Sequence, residues 1–511
     1  MPRRPLLAAF LAGALAVAGF APLYLFPLPV LTLALLLQLC TRAPGAWHAG
    51  RLGFAFGLGL FLTGVSWVYV SLHDFGAMPA PLAAFATLLF CAFLALFPAA
   101  ACVVYARSKA SPTLAALCAL PAAWCLLEWV RGWIFTGFPW LTLGYSQAPW
   151  SPLAGYAPLL GVYGISLLMA ISAGLLWLIY VQRARTARRA ENPIAPPAAE
   201  TGFVLPSAAS IVLIIAIWLG GFLLQQKQWT QPAGEPVSVS LLQGNIAQDV
   251  KWRPEQVEST LRTYMQMTLS TSSGLIIMPE TAVPLFYRDV PKAYLEVLTA
   301  HAKQHAGDIL IGMPERIGAD QYYNSVLSFG SAPTQIYRKS HLVPFGEFIP
   351  LKRWLGWIVA VLSIPLSDFA RGAPDQQPLN VAGQRVAVNI CYEDSFGEEI
   401  TRQLPQATIL ANVSNVAWFG DSLAPMQHLQ ISQMRAIETG RYMLRATNTG
   451  MTAIVDTRGR VEQVAPEFTR TIVTGRVPGY QGSTPFMRWG DTLALAAAAL
   501  LALPALWRRR R

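Results

Sequence analysis

Long apolar runs recur through the N-terminal half of the chain, and one more lies near its C-terminus. A helix needs about 20 apolar residues to cross the roughly 30 Å hydrocarbon core of a bilayer. Eight runs approach that length: residues 5–21, 23–40, 52–72, 80–106, 112–130, 157–181, 204–224 and 491–507. The pattern therefore predicts eight membrane spans. The first run follows a basic start, as in a signal peptide, but six further runs follow it directly, so we interpret it as a retained helix.

Residues 225–490 follow a different pattern, in which short β-branched runs alternate with helical stretches. The predicted strands are 237–242, 275–278, 309–311, 386–390, 408–412 and 452–455. Several of them end in glycine, proline or a charged residue. Such alternation predicts a layered α/β fold with functional residues at strand ends. The chain is accordingly divided into a seven-helix membrane domain (1–225), an α/β domain (226–488) and a C-terminal helix with a basic tail (489–511).

The composition agrees with lipid as the solvent for part of the chain. Hydrophobic residues make up 54% of the 511 residues, charged residues make up only 13%, and the mean hydropathy is +0.41. A soluble protein rarely covers its surface with so few charges.

The formal net charge of +11 does not indicate a nucleic-acid partner. The basic excess lies in the apolar N-terminal half and in the arginines at 508–511, whereas residues 231–507 are nearly neutral. Basic residues also cluster in every second loop between the predicted spans, and such loops face the cytoplasm. Both termini are therefore predicted to be cytoplasmic, and residues 225–490 to be extracytoplasmic.

Cys391 is the single cysteine outside the apolar N-terminal half, and it follows the predicted strand 386–390 directly. A turn after a buried strand exposes a nucleophile well, and a thiol there needs a base or a cation to become reactive. A buried cysteine that only packs as a small hydrophobe fits the strand pattern equally well. The α/β domain offers no cysteine partner for a disulfide, and no Cys/His spacing suggests a metal site.

Glu280 and Lys339 lie at similar positions. Glu280 follows the strand 275–278, where it suits a general base if partial burial raises its pKa. Lys339 lies in the charged stretch 337–347 and could stabilise an oxyanion or lower the pKa of the thiol. A solvated glutamate in a turn and a surface salt bridge are the alternatives. Ser340 and His341 are adjacent and lack a G-x-S-x-G turn, so a serine hydrolase is discounted.

Glu280, Lys339 and Cys391, in this order and each at a strand end, resemble the catalytic set of the nitrilase superfamily. Further motifs narrow the resemblance to the apolipoprotein N-acyltransferase family, over essentially the whole chain. They are Gln243-Gly244-Asn245-Ile246 with Lys251-Trp252, His341-Leu342-Val343-Pro344-Phe345-Gly346-Glu347, Ser414-Asn415-Val416-Ala417-Trp418-Phe419-Gly420, Arg445-Ala446-Thr447-Asn448-Thr449-Gly450 and, in the apolar half, Thr136-Gly137-Phe138-Pro139-Trp140 with Gly144-Tyr145. Val416 departs from the family, where an acidic residue is expected, and leaves the catalytic set untouched.

The resemblance implies a multi-pass helical membrane bundle with an extracytoplasmic nitrilase-like α/β domain, an αββα sandwich, in a bacterial inner membrane. It implies that Cys391 carries an acyl chain from a membrane phospholipid, as a thioester, to the α-amino group of the diacylglyceryl cysteine of an apolipoprotein. No cofactor or metal is expected. The implied catalytic residues are Glu280, Lys339 and Cys391, and the implied substrate-binding residues are Glu347, Tyr392, Glu393, Trp252, Trp418 and Trp140.

Several roles stay open on the sequence alone. The three tryptophans suit interfacial anchors as well as acyl-chain contacts. His428 and Arg435, on a helical run predicted at 425–445, are interpreted as structural. Glu128 is interpreted as a partner of Arg131, three residues further along the same helix.

Two other functions compete with acyl transfer. A membrane-tethered nitrilase-like amidase would use the same three residues with water as acceptor, although one span would suffice to tether it. A transporter with an outer sensing domain is disfavoured, because transport paths usually need ionisable groups that are nearly absent from these spans.

The apolar stretch 354–364 inside the α/β domain suits an arm or lid that dips into the membrane. The double substitution Trp357→Asp and Ile358→Asp is expected to lower activity on lipid substrates, because two carboxylates there oppose insertion into lipid. Turnover of membrane lipid checks this, and an unchanged turnover would contradict it.

Overall fold

The computed structural model describes residues 4–191, 205–318, 321–348 and 368–506. The described residues form two compact units. One is helical and is drawn from Met1–Ser66, Phe85–Lys227 and Trp489–Arg511. The other is drawn from Trp67–Ala84 and Gln228–Arg488, so that it takes one short segment from the apolar half.

Each of the eight predicted spans contains a helix. The helices are Pro5–Ala16, Pro27–Cys40, Ala46–Gly64, Ala80–Arg107, Leu120–Arg131, Ala157–Glu191, Ser207–Gln225 and Thr492–Leu506. Four helical segments in the described part of the chain are long and apolar enough to cross a membrane: Ala80–Arg107, Pro112–Arg131, Pro152–Arg188 and Ser207–Gln225. A fifth qualifies if Ala46–Gly64 and Val68–Phe75, which are bent by 58° at their junction, count as one span. Several membrane helices are therefore supported, and the number eight stays a prediction.

Small residues let two of these helices touch along their backbones. A Cβ on Gly13 would lie 1.9 Å from the carbonyl oxygen of Phe56, and a Cβ on Gly59 would lie 2.0 Å from that of Phe10. Helix association in lipid relies on such close van der Waals packing, because no hydrophobic force draws helices together there.

The predicted span 52–72 breaks after Gly64, and its second part belongs to the α/β unit. Val68–Val70 continues into the π-helical turn Ser71–Phe75. Trp67 contacts Phe419 and Ser71 contacts Trp418, and both partners lie just after a strand of the α/β unit. Hydropathy could not reveal the break, since both parts are apolar.

The α/β unit contains two six-stranded sheets. The first sheet has the order β12-β1-β2-β3-β4-β5 and the second has the order β11-β10-β9-β8-β7-β6. The strands are β1 Thr230–Gln243, β2 Leu275–Ile277, β3 Asp308–Ile317, β4 Gln321–Gly330, β5 Ile336–Arg338, β6 Leu379–Val381, β7 Gln384–Ile390, β8 Ile409–Ser414, β9 Met443–Thr447, β10 Ala453–Val455, β11 Val461–Val464 and β12 Thr471–Gly482. Strands β1 to β3 are mutually parallel, as are β7 to β9.

The sheets pack face to face with helices on both outer faces. Side chains from β1 and β2 meet side chains from β7 and β8 in a core between the sheets, represented by Leu241, Ile277, Val388 and Val413. Helices Pro254–Leu269 and Lys292–Gln304 cover the first sheet, and helix Ala424–Thr439 covers the second. This four-layer arrangement confirms the expected αββα sandwich.

All six predicted strands coincide with observed strands, and the helical run 425–445 was predicted too long. The helix Ala424–Thr439 ends at Gly440, which has a left-handed φ of +58°. The chain then enters β9, so that Arg445 lies on a strand. A glycine at this position is a common helix terminator.

Replacement of Gly440 tests this helix end. Gly440→Ala is expected to lower the free energy of unfolding by more than the roughly 1 to 2 kcal/mol of a left-handed alanine, because its Cβ would also lie 2.6 Å from Thr230 Oγ1. Gly383→Ala is the matched control, since Gly383 has a φ of +70° and no atom within 4 Å of the added Cβ. Thermal unfolding in detergent should place the Gly440 variant lower, and equal Tm values would contradict the steric argument.

Candidate active site

The carboxyl ends of parallel strands bring the predicted catalytic residues to the same edge of the sandwich. Glu280 follows β2 in the first sheet, and Cys391 follows β7 in the second. Asn415 follows β8, which is parallel to β7. Ligands and reacting groups of α/β proteins commonly collect at such an edge.

Cys391 occupies a strained turn. Its φ is +54°, and a short 3₁₀ turn, Cys391–Ser395, begins with it. A non-glycine residue in this region carries about 1 to 3 kcal/mol of strain, which surrounding contacts must hold in place. The Cys391 carbonyl accepts hydrogen bonds from Asn412 Nδ2 (3.0 Å) and His428 Nε2 (3.2 Å). The turn is thereby fixed with the thiol half-buried, as expected of a nucleophile.

Glu280 is buried, and both of its carboxylate oxygens have hydrogen-bond donors. Asn324 Nδ2 donates to Oε1 (2.7 Å), and the backbone N–H of Asn415 donates to Oε2 (2.8 Å). Lys339 Nζ lies 3.5 Å from Oε1. A buried carboxylate is tolerated when its oxygens are satisfied in this way.

Lys339 is 1% exposed and contacts two carboxylates. Its Nζ lies 2.9 Å from Glu347 Oε1, closer than it lies to Glu280. Glu347 also accepts from Asn324 Nδ2 (3.0 Å) and from the backbone N–H of Val343 (2.8 Å). Glu347 thus orients the lysine, and the prediction that it contacts substrate stays untested.

The surroundings of the site shift the pKa of Cys391 and the pKa of Glu280 in opposite directions. Burial raises the pKa of Cys391, the negative charges of Glu280 and Glu347 raise it further, and Lys339 opposes them. Burial alone would raise the pKa of Glu280, but Lys339, Asn324 and the other donors outweigh burial and lower it. The sequence made the role of Glu280 as a base conditional on a pKa raised by burial, whereas the net shift of its pKa is downward. Burial acts against the Lys339 charge, but its two carboxylates raise the pKa of this lysine.

Glu393 fixes the chain around the nucleophile. Its Oε1 accepts from the backbone N–H groups of Ser340 (2.7 Å) and His341 (3.0 Å) and from the Ser340 hydroxyl (3.0 Å). Its Oε2 accepts from the Tyr337 hydroxyl (3.0 Å) and the backbone N–H of Ile390 (2.7 Å). Burial raises the Glu393 pKa, against the effect of these donors. Five donors favour a positioning role, and the substrate contact stays a prediction.

A second buried polar network lies behind Cys391. His428 Nε2 lies 2.6 Å from Asp394 Oδ1, and Arg445 Nη1 lies 3.3 Å from Asp394 Oδ2. Arg445 Nη1 also donates to Asn412 Oδ1 (2.8 Å). Because His428 and Asn412 both donate to the Cys391 carbonyl, this network fixes the backbone of the turn at Cys391. It supports the structural interpretation of His428.

The predicted aromatic contacts lie in different places. Trp252 and Trp418 are half-buried on loops of the α/β unit, and Tyr392 is buried beside Phe396, with ring centroids 5.1 Å apart. Trp140 belongs to the helical unit, where it is buried and its carbonyl accepts from Arg131 Nη1 (2.7 Å). Their contacts with substrate stay predictions.

The segment from the apolar half packs against the loop that carries Trp418. Ser71 Oγ donates to the Trp418 carbonyl (2.7 Å), and Trp67 Nε1 donates to Gln427 Oε1 (3.2 Å). The Trp67 ring meets Phe419 edge to face at 4.7 Å. Since Asn415 begins this loop, the segment supports the backbone that holds Glu280. π-Helical turns often occur at functional sites.

Sequence analysis assigned no role to several residues of this site, among them Asn324, Asp394 and Lys251. Asn324 lies within β4, and nothing in the alternation of that strand distinguishes it. Asp394 follows the nucleophile motif but faces a buried network. Lys251 was noted in a motif, and its burial beside Glu280 is a long-range contact that local pattern does not reveal.

Two family models match the chain. The model for the apolipoprotein N-acyltransferase N-terminal domain matches residues 12–175, and the carbon-nitrogen hydrolase model matches residues 238–485. The second match agrees with the nitrilase-like fold of the α/β unit.

Curated relatives match almost end to end. A protein of Nitrosomonas europaea, named apolipoprotein N-acyltransferase, is 54% identical over 499 residues, which cover 98% of this chain and 96% of the relative. Proteins of the same name from Chromobacterium violaceum and Methylococcus capsulatus are 46% and 44% identical, covering 99% of this chain and 94% and 97% of their own lengths.

Solved structures match about half of the chain. An amidase from Nesterenkonia sp. covers 48% of this chain and 92% of its own, with 17% identity and a TM-score of 0.37. The C. elegans NitFhit protein covers 54% of this chain and 66% of its own, with 16% identity and a TM-score of 0.37.

Gly312 on β3 leaves space for the backbone of Pro279 and Glu280. A Cβ there would lie 2.3 Å from the Pro279 carbonyl oxygen and 2.8 Å from the Glu280 Cα. Gly312→Ala is therefore expected to displace Glu280 and slow acyl transfer by about 100-fold, the usual effect of an error near 1 Å in a catalytic group.

Gly274→Ala, just before β2, is the matched control. Its Cβ would lie 3.5 Å from Val237 Cγ2, an ordinary contact, so its activity should stay near that of the unchanged protein. Initial rates of both variants, with folding checked by Tm, test the argument. A Gly312→Ala variant with full activity would contradict the steric argument.

Proposed function

This chain belongs to the apolipoprotein N-acyltransferase family, and on that premise we propose that Cys391 carries an acyl chain from a membrane phospholipid to the N-terminal amine of an apolipoprotein. The observation that carries the proposal is the placement of Glu280, Lys339 and Cys391 at one edge of the sandwich, where Lys339 Nζ lies 3.5 Å from Glu280 Oε1, the Glu280 pKa is lowered and the Cys391 pKa is raised.

The first half-reaction uses this charge arrangement. Glu280 takes the proton of the Cys391 thiol as the sulfur attacks the ester carbonyl of the phospholipid. Lys339 stabilises the oxyanion that forms, and a backbone N–H of the nucleophile turn is a further donor. The intermediate then expels the lysophospholipid alkoxide, which receives the proton from Glu280, and a thioester remains on Cys391.

The second half-reaction reverses these proton movements. The α-amino group of the diacylglyceryl cysteine attacks the thioester, and Glu280 accepts a proton from that amine. The Cys391 thiolate leaves and is reprotonated, so that the product is an N-acylated apolipoprotein. This ping-pong sequence needs no metal or cofactor.

The placement in the membrane follows from the basic loops. We propose that the α/β unit is extracytoplasmic, that both termini are cytoplasmic, and that the protein resides in a bacterial inner membrane. Half-buried Trp252 and Trp418 would then face acyl chains. The proposed arm at 354–364 lies outside the described residues.

Intact-mass analysis tests the proposal. The protein purified from membranes is expected to carry an adduct of one acyl chain that hydroxylamine removes, because the buried site shields the thioester from water. Cys391→Ala should carry none, and Cys125→Ala is the control, since Cys125 is a buried cysteine of the helical unit.

Addition of a peptide with a diacylglyceryl cysteine should discharge the adduct onto its amine. Release of free fatty acid at the same rate without the peptide would favour the water-accepting amidase. Absence of any adduct after incubation with phospholipid would count against the thioester.

A further inference from the structure

Lys251 is a second buried lysine beside the base and the nucleophile. It is 2% exposed, and its Nζ donates to the Glu280 carbonyl oxygen (3.2 Å) and to Thr281 Oγ1 (2.6 Å). Thr281 has a left-handed φ of +46°, so the lysine also braces a strained turn. The charge of Lys251 interacts with Glu280 and with the Cys391 thiol.

The two buried lysines of the site differ in their partners. Lys339 lies within ion-pair distance of Glu280 and Glu347. Within the described part of the chain, Lys251 has no carboxylate at that distance, and both of its partners are neutral oxygens. A buried ammonium without a counter-ion is costly, and such a group is retained more readily where its charge serves chemistry.

Lys251 adds a second ammonium group beside the two carboxylates that contact Lys339. Two carboxylates, Glu280 and Glu347, face two ammonium groups, Lys339 and Lys251, around a neutral thiol. Transfer of the thiol proton to Glu280 keeps this balance, since a thiolate replaces a carboxylate. Without the charge on Lys251, these groups would carry one uncompensated negative charge both before and after the transfer, and that charge would lie on the sulfur after it.

We propose that Lys251 is a positioning residue whose ammonium, acting through Glu280 and Cys391, stabilises the negative charge that develops on the sulfur and then on the ester oxygen during thioester formation. The inference rests on the proposed function. The proton passes from Sγ to Glu280, the Sγ–C bond forms, and the carbonyl electron pair moves to oxygen, so that Lys251 itself exchanges no proton.

The charge of Lys251 titrates in an accessible range. Burial lowers the Lys251 pKa to about 8, against the opposing charges of Glu280 and Cys391. Because the folded-state pKa is lowered, the stabilising ammonium is present below about pH 8 and is lost as pH rises through that value. The other charged groups facing the site are Lys339, Glu347 and Arg445, and the exposed Asp249 and Arg253 lie on the same turn as Lys251.

The test compares the full-length protein with Lys251→Met and Lys251→Gln, between pH 6.5 and 10. Thioester formation on Cys391 is followed by intact mass in phospholipid micelles without an acceptor peptide, so that titration of the acceptor amine does not enter. Tm confirms folding, and the glutamine variant, which can still donate hydrogen bonds, separates lost charge from lost contacts.

The expected result concerns the rate of thioester formation in the unchanged protein divided by that in each variant. This ratio should change with pH. At pH 7 the unchanged protein should form thioester at least about tenfold faster than either variant, because a nearby opposite charge shifts a thiol pKa by about 1 to 3 units. For the glutamine variant the ratio should fall towards one as pH rises through about 8, and for the methionine variant it should fall to the level that the lost hydrogen bonds set. A neutral lysine still donates to both oxygens, so a merely structural role predicts a ratio that does not change with pH.

A pH-independent ratio, or variants as fast as the unchanged protein at pH 7, would overturn the inference while leaving the proposed function intact. Absence of thioester in the unchanged protein at every pH would overturn both.

Discussion

The site depends on keeping the Glu280 carboxylate ionised inside an apolar domain. Burial opposes that charge, and the charges of Lys339 and Lys251 together with the donors Asn324 and Asn415 reverse its effect. Asn324 and Lys339 come from the first sheet, and Asn415 comes from the second. The groups that compensate for burial of Glu280 therefore come from both sheets and surround the carboxylate only when the sheets have packed.

The same constraint determines the resting state of the nucleophile. Low-pKa cysteines are usually activated by a nearby cation, but here Glu280 and Glu347 offset Lys339, and burial raises the thiol pKa. The surroundings that lower the pKa of Glu280 therefore raise the pKa of Cys391.

Strand-end residues could be predicted from sequence, whereas residues that support them could not. Cys391 and Glu280 follow buried β-branched runs, so period and position identified them, and the resemblance supplied their roles. Asn324 lies mid-strand, where alternation reports only which face a side chain takes. Lys251 becomes a site residue through a contact with a loop 29 positions away. The bend after Gly64 joins two apolar helices, so hydropathy gave no sign of it.

Two sets of contacts hold the backbone around Cys391 and Glu280 in place. The Asp394–His428–Arg445 network fixes the carbonyl of the strained nucleophile. The segment Trp67–Ala84 holds the loop that begins at Asn415, whose N–H fixes the base. Strain at Cys391 persists only because these contacts over-determine its position. The backbone at Cys391 and at Glu280 is thus positioned by buried polar contacts from parts of the chain that are far apart in sequence.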